Sequence, residues 1–144
     1  MLIDGYARFG IFRHKMHYVR STEAAIPLRS DHVDFLFTRN AMDHVYDFER
    51  MLAECARILS PSGELIASFN LDEPPTVAEP QILTEESVTR SLRAHFSVLS
   101  CRIQPRGPVG DLYLHFFHEG ISADTEGPRI MWVRAKKLQH DTIG

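Results

Sequence analysis

Residues 25–69 read AIPLRSDHVDFLFTRNAMDHVYDFERMLAECARILSPSGELIASF. Within them, 33–38 (VDFLFT) is almost continuously apolar. That is the pattern of a strand covered on both faces, as in a parallel sheet. Residues 47–59 (DFERMLAECARIL) then place Met51, Leu52, Cys55, Ile58 and Leu59 on one stripe, with Glu49, Arg50, Glu54 and Arg57 facing away. This spacing predicts an amphipathic helix, with Asp47 capping its first turn. Ser60-Pro61-Ser62-Gly63 stops it, because proline cannot continue the ladder and glycine tolerates the turn. Residues 64–70 (ELIASFN) form a second buried strand. Strand, helix and strand in close succession predict a right-handed crossover and a parallel α/β sheet.

Outward from this unit the pattern continues in both directions. Residues 2–10 carry Leu2, Ile3, Tyr6 and Phe9 at helical spacing, ending near Gly10, with Gly5 weakening the run. Residues 16–20 (MHYVR) read as a strand, and a loop follows through Pro27 to Asp31. On the far side, 71–82 (LDEPPTVAEPQI) is acidic and proline-rich, a long loop leaving the carboxyl end of a strand, where open α/β sheets keep their ligands. Residues 85–96 predict a helix with Thr84 as its cap, Glu85 and Glu86 at the positive end of its dipole, and Leu83 with Val88 as a staple. Residues 97–104 alternate like a half-covered strand, and 129–136 (RIMWVRAK) pair with it antiparallel. The stretch 105–128 holds the aromatic run DLYLHFF between Gly and Pro, and no element is assigned to it.

The composition is that of an ordinary globular chain: 144 residues, 44% hydrophobic and 24% charged. A net charge of −3 gives no reason to expect nucleic acid or an anionic membrane surface as partner. No apolar stretch approaches a membrane span, and the first residues lack a signal-peptide layout. Cys55 and Cys101 fall in a predicted helix stripe and a predicted strand. Two isolated buried thiols point to a reduced, cytoplasmic setting rather than a disulfide scaffold.

Three local strings, in this order, resemble the later part of a class I S-adenosylmethionine-dependent methyltransferase of the small-molecule, type 11-like kind. Ala25-Ile26-Pro27-Leu28 resembles the family's alanine-leucine-proline-phenylalanine turn. Val33-Asp34-Phe35-Leu36-Phe37, with Asn40 and His44-Val45 beyond, resembles its phenylalanine-aspartate strand and the helix entry after it. Arg57 to Leu65 resembles its arginine-valine-leucine-lysine-proline-glycine-glycine turn. The resemblance runs from about Tyr18 to Lys137. It implies a single partial domain over 1–144, with an N-terminal helix in 1–15, an α/β core over 16–104, an insertion at 105–128 and a last strand at 129–137. The fold class it implies is α/β: an incomplete Rossmann-like methyltransferase fold, mostly parallel, with a C-terminal antiparallel hairpin.

The resemblance also implies a chemistry and a site. The reaction is an in-line transfer of a methyl group from S-adenosylmethionine to a small-molecule nucleophile, helped by orientation and exclusion of water. In relatives the turn after the third strand contacts the adenine; here it is Ser21-Thr22-Glu23-Ala24, with Thr22 where an aspartate is usual and Glu23 beside it. Arg39, Asn40 and Ala41 lie under the methionine part of the cofactor. His44 points into the pocket and accepts a proton from the substrate. Each has a plainer reading: Asn40 as a cap or turn residue, His44 as a packed or solvent-facing imidazole.

The family's first and second strands, its glycine loop and its acidic ribose-binding residue have no counterpart, and no GxGxG-like string occurs. Met1 then corresponds to a point just past the second strand, which implies a truncated reading frame. In the full fold the first strand lies between the third and the fourth. Without it, 33–38 has an open apolar edge, where two copies meet as a homodimer unless 16–20 covers it. A non-catalytic binding or oligomerisation module that kept the fold stands as the alternative function, and an unrelated α/β protein of similar pattern ranks last. His115 and His118 have no Cys or carboxylate at ligand spacing, so no metal site is expected from them. Asn70 to Pro75 only faintly resembles the asparagine-proline-proline motif of nucleic-acid methyltransferases and is discounted.

Overall fold

The computed structural model describes residues 19–22, 25–105 and 129–139. The predicted helix at 2–10, most of the 16–20 strand and the stretch 106–128 lie outside these residues. Val19 and Arg20, which are described, belong to no strand. The elements run β1 (Val33–Arg39), a short 3₁₀ turn (Met42–His44), α1 (Phe48–Ile58), β2 (Leu59–Leu71), α2 (Glu85–His95), β3 (Phe96–Pro105) and β4 (Arg129–Lys137).

The strands form one sheet in the order β1-β2-β4-β3. β1 and β2 are parallel, with Leu36 opposite Leu65 and Arg39 opposite Ser68. This is the crossover unit that the apolar–amphipathic–apolar pattern predicts. β4 then lies antiparallel to both β2 and β3. The described sheet is therefore mixed: a parallel pair joined through β4 to the C-terminal antiparallel hairpin of β3 and β4.

α1 forms where its stripe predicts. The Asp47 side chain accepts from the Arg50 backbone N–H at 2.9 Å and caps the first turn. The last carbonyls of the helix are taken by the chain entering β1: Asp31 N–H donates to Arg57 O and His32 N–H to Ile58 O, both at 2.9 Å. Lys137 adds a bond from Nζ to Leu59 O at 2.7 Å. The ladder between β1 and β2 jumps from Val33–Leu59 to Phe35–Glu64, so Ser60 to Gly63 form a bulge inside β2. Gly63 is required there for room rather than for a left-handed turn: a Cβ on it would stand 3.0 Å from both Ser60 N and Ser60 O. α2 opens with a reciprocal cap, Thr84 and Ser87 each bonding the other's backbone N–H.

A single core joins these elements. Leu65, Ala67, Phe69 and Leu71 of β2 and Met131, Val133 and Ala135 of β4 share it with Phe48, Leu52 and Cys55 of α1 and Val88 and Leu92 of α2. Phe48 meets Phe69 edge to face at 5.6 Å. Burying a leucine such as Leu52 stabilises the fold by about 1.5–3 kcal/mol. On β1 the two faces differ. Leu36 packs against the core, while Phe35 and Phe37 are 53% and 58% exposed. The expectation of cover on both faces fails there, because among the described residues nothing lies over that face of β1. Cys101 is likewise exposed, not buried as its strand pattern suggested, while Cys55 is buried. No helix among the described residues is long and apolar enough to cross a membrane.

Candidate functional site

The carboxyl ends of β1 and β2 lie side by side, and a segment of functional candidates leaves from each. Asn40 is the first residue beyond β1. Its backbone N–H donates to both Ser68 O at 3.2 Å and Ser68 Oγ at 3.1 Å, carrying the ladder one step past Arg39. Its φ of 46° is left-handed, a conformation that asparagine tolerates better than most residues. Its side-chain Oδ1 is buried and, among the described residues, has no hydrogen-bond partner. An acceptor left so costs about 1–3 kcal/mol, and it is available to a donor on a ligand.

The 3₁₀ turn that follows is tucked in by Met42, 4% exposed, and by Val45. It carries Asp43 inward, 3% exposed, and leaves His44 at the surface. The His44 ring is fixed from the opposite loop: Nδ1 lies 2.9 Å from the Ala78 carbonyl oxygen. A carbonyl only accepts, so Nδ1 bears the proton and Nε2 carries the lone pair. Nε2 faces Asp43 Oδ1 at 3.8 Å and Glu79 Oε1 at 3.6 Å. Neither carboxylate oxygen of Asp43 has a hydrogen-bond partner among the described residues.

The loop that supplies Ala78 and Glu79 spans 72–84, against the 71–82 that the proline-rich composition predicts, because Leu71 ends β2. Asp72 N–H donates to Leu83 O at 2.9 Å and closes the loop at its base. Arg129 holds that base from β4, bonding Asp72 Oδ2 at 2.8 Å and Glu85 Oε2 at 3.2 Å. Gln81 Nε2 donates to Val45 O at 2.8 Å and ties the loop to the 3₁₀ turn. Between the start of α1, this loop and α2 opens a cleft of about 210 Å³. That is below the roughly 300–1,000 Å³ of small-molecule sites, so it is not by itself the place for a nucleoside-sized ligand.

A second polar cluster prepares the entry to β1. Arg57 bonds both oxygens of Glu54, at 2.7 and 2.9 Å, and also reaches Ile26 O at 2.8 Å and Leu28 O at 2.9 Å. Ile26 N–H donates to Glu54 Oε2 at 2.9 Å. The Arg57 guanidinium, followed by the Ile26 N–H, lowers the Glu54 carboxyl to a pKa of about 2. Helical spacing assigns Glu54 and Arg57 only to the face away from the core. In the structure that face clamps the 26–30 segment.

Of the residues expected at the site, Arg39, Asn40, Ala41 and His44 gather where β1 ends. Thr22 closes a small turn with Ala25, through backbone bonds of 3.2 and 3.3 Å. Glu23 and Ala24 lie outside the described residues. Asp43, Ala78, Glu79 and Gln81 were not singled out from sequence; no spacing rule links a 3₁₀ turn to a loop some 35 residues later.

A family described as "Methyltransferase domain" matches residues 6–67, somewhat under half of the chain. No curated protein matches. Among solved structures, a methyltransferase of unproven assignment from Bacillus halodurans superposes with a TM-score of 0.69 at 12% identity, covering 96% of this chain and 79% of that one. The cyclase SpnF gives 0.67 at 15% identity, covering 93% of this chain and 61% of its own. A 1,6-didemethyltoxoflavin-N1-methyltransferase from Burkholderia thailandensis, solved with S-adenosylhomocysteine, gives 0.63 at 17%, covering 96% and 56%. At these identities the likeness shows the fold: a partial, Rossmann-like α/β methyltransferase fold, as the sequence resemblance implies. The chain spans about three fifths of the length of SpnF and somewhat less of the Burkholderia enzyme.

Proposed function

We propose that this chain, with its methyltransferase-domain sequence at 6–67 and its S-adenosylmethionine-dependent methyltransferase fold, takes part in methyl transfer to a small molecule. The observation that carries the reading is Asn40: a left-handed residue at the carboxyl end of a parallel strand, with a buried Oδ1 that has no partner among the described residues. That acceptor fits the ammonium group at the amino-acid end of S-adenosylmethionine. Arg39 and Ala41 flank it, and Thr22, Glu23 and Ala24 are assigned to the adenine end. When bound, the cofactor supplies an activated sulfonium methyl group. The protein's own contribution is placement, exclusion of water by the 72–84 loop, and one proton acceptor.

His44 is that acceptor. Its Nδ1–H is held by Ala78 O, so a proton from the substrate is taken at Nε2. Asp43 and Glu79 stabilise the imidazolium that forms. The unpaired Cys55 and Cys101 fit a reduced, cytoplasmic setting.

The test is a melting curve with and without S-adenosylmethionine. A ligand bound only to the folded state, at a hundred times its dissociation constant, adds about 2.7 kcal/mol. The midpoint should rise, and Asn40→Ala should abolish most of the rise. An unchanged midpoint at millimolar ligand would refute cofactor binding by this chain. The second reading, a non-catalytic oligomerisation module, is favoured by one feature: among the described strands β1 pairs only with β2, and Phe35 and Phe37 stand exposed.

A further inference from the structure

We infer that Asp43, His44 and Glu79 form a binding site for a first-row divalent metal ion, with Zn²⁺ as the reference probe. The cluster has one imidazole nitrogen and two carboxylate oxygens, all within 4.8 Å of one another. Ligands around a tetrahedral ion at metal distances near 2.1 Å stand roughly 3.4 Å apart. The Nε2 separations here, 3.6 Å to Glu79 and 3.8 Å to Asp43, are close to that spacing.

Two features separate this cluster from a chance meeting of polar side chains. The first is Asp43. Its side chain is 4% exposed, it faces His44 Nε2, and both its oxygens lack a hydrogen-bond donor among the described residues. A buried carboxylate in that state is strongly unfavourable without a cation beside it. An imidazolium at 3.8 Å is too distant to donate a hydrogen bond to it. The second is the outer contact of His44. Histidines that bind metals donate their other ring N–H to a carbonyl or carboxylate, which fixes the tautomer and aims the lone pair. The Nδ1 contact to Ala78 O has that form, and it leaves Nε2 aimed between the two carboxylates.

Imidazole with carboxylates suits Zn²⁺ and its first-row neighbours better than Mg²⁺ or Ca²⁺, which prefer oxygen alone. Three protein donors leave a position open to water or a substrate oxygen. Because Glu79 belongs to the 72–84 loop and Asp43 and His44 to the turn after β1, the ion pins that loop over the carboxyl end of the sheet. Nε2 cannot hold a proton and an ion together, so the loaded protein has no base at His44. The inference does not depend on methyl transfer, and its test does not measure it.

The experiment is calorimetric titration of the chelator-treated, tag-free chain with Zn²⁺, paired with melting curves. One ion per chain and a raised midpoint are expected, with a much weaker response to Mg²⁺. Glu79→Gln, a change in a loop residue, should weaken Zn²⁺ binding at least tenfold. Asp43→Asn should abolish binding and raise the metal-free midpoint, because it removes a buried unpaired charge. His32→Gln, at an exposed position apart from the cluster, should change neither. No heat of binding at high micromolar Zn²⁺, or binding that survives both Glu79→Gln and Asp43→Asn, overturns the site. So does binding lost instead in His115→Gln or His118→Gln.

Discussion

Glu54→Gln is the substitution whose consequences follow most directly from the geometry. It keeps the shape of the side chain and removes the charge that holds Arg57, Ile26 and, through Arg57, Leu28. In the folded protein the carboxyl has a pKa of about 2 against an ordinary value of 4.5. A shift of that size corresponds to roughly 3 kcal/mol. Arg57 is 35% exposed, so solvent screens the pair, and about 1–2 kcal/mol is the expected loss. Glu54→Ala should cost about 1–2 kcal/mol more, because the Ile26 N–H then has no acceptor. For a chain of this size each kcal/mol lowers the melting midpoint by roughly 2–4 °C.

The pH dependence gives the sharper test. A carboxyl whose folded pKa is depressed stabilises the fold fully above its unfolded pKa and loses that contribution as pH falls toward the folded value. The window is therefore 4.5 down to about 2. Urea denaturation at a series of pH values should show the wild type losing its advantage over Glu54→Gln across that window. A difference that stays constant from neutral pH to the bottom of the window would refute the assignment of the clamp to this ion pair. Because the clamped segment directly follows the Thr22–Ala25 turn, Glu54→Gln should also reduce any midpoint shift produced by S-adenosylmethionine.

The bulge in β2 and the outer edge of β1 make separate predictions. Gly63→Ala would place a methyl group 2.9 Å from Leu59 Cδ2 and 3.0 Å from two backbone atoms of Ser60. The backbone cannot rotate away, so a cost of about 1–3 kcal/mol is expected in thermal denaturation, whereas Ser62→Ala, at an exposed position, should be close to neutral. If two chains meet along β1, sedimentation should give twice the mass of one chain, with slow exchange of the 33–38 amides; a monomer whose 33–38 amides exchange rapidly would exclude that pairing.

The crossover unit was legible because each of its parts carries its own periodicity. The apolar run of β1, the 3.6-residue stripe from Met51 to Leu59 and the second apolar run are local signals, and the caps at Asp47 and Thr84 are side chains bonding their own backbone. The mixed character of the sheet was less legible. The alternation of 97–104 and the run at 129–136 predict an antiparallel pair. Nothing in either string says that β4 rather than β3 lies against β2. That choice is made by the face shared among Met131, Val133, Ala135, Leu65, Ala67 and Phe69, a property of the assembled core. The two faces of β1 were misjudged for a related reason. Phe35 and Phe37 are apolar whether or not anything covers them, and coverage is decided by elements elsewhere in the chain.

The site shows the same division more sharply. Asn40 and His44 were singled out because each has a chemistry and a place after a strand. Asp43 was not, although it stands beside His44 in the chain. Neighbours on a 3₁₀ turn point in different directions, so one adjacent polar residue is driven inside and the other is left at the surface. A sequence shows two polar residues where the structure shows a buried carboxylate, unpaired among the described residues, beside an oriented imidazole. Glu79 completes the group only because Gln81 and Ala78 bring its loop back across the turn. The burial of Asp43 is thus the feature that turns an ordinary dipeptide into a ligand set. A structure that left Asp43 in solvent would remove the reason for the metal and leave His44 as a base with one carboxylate partner.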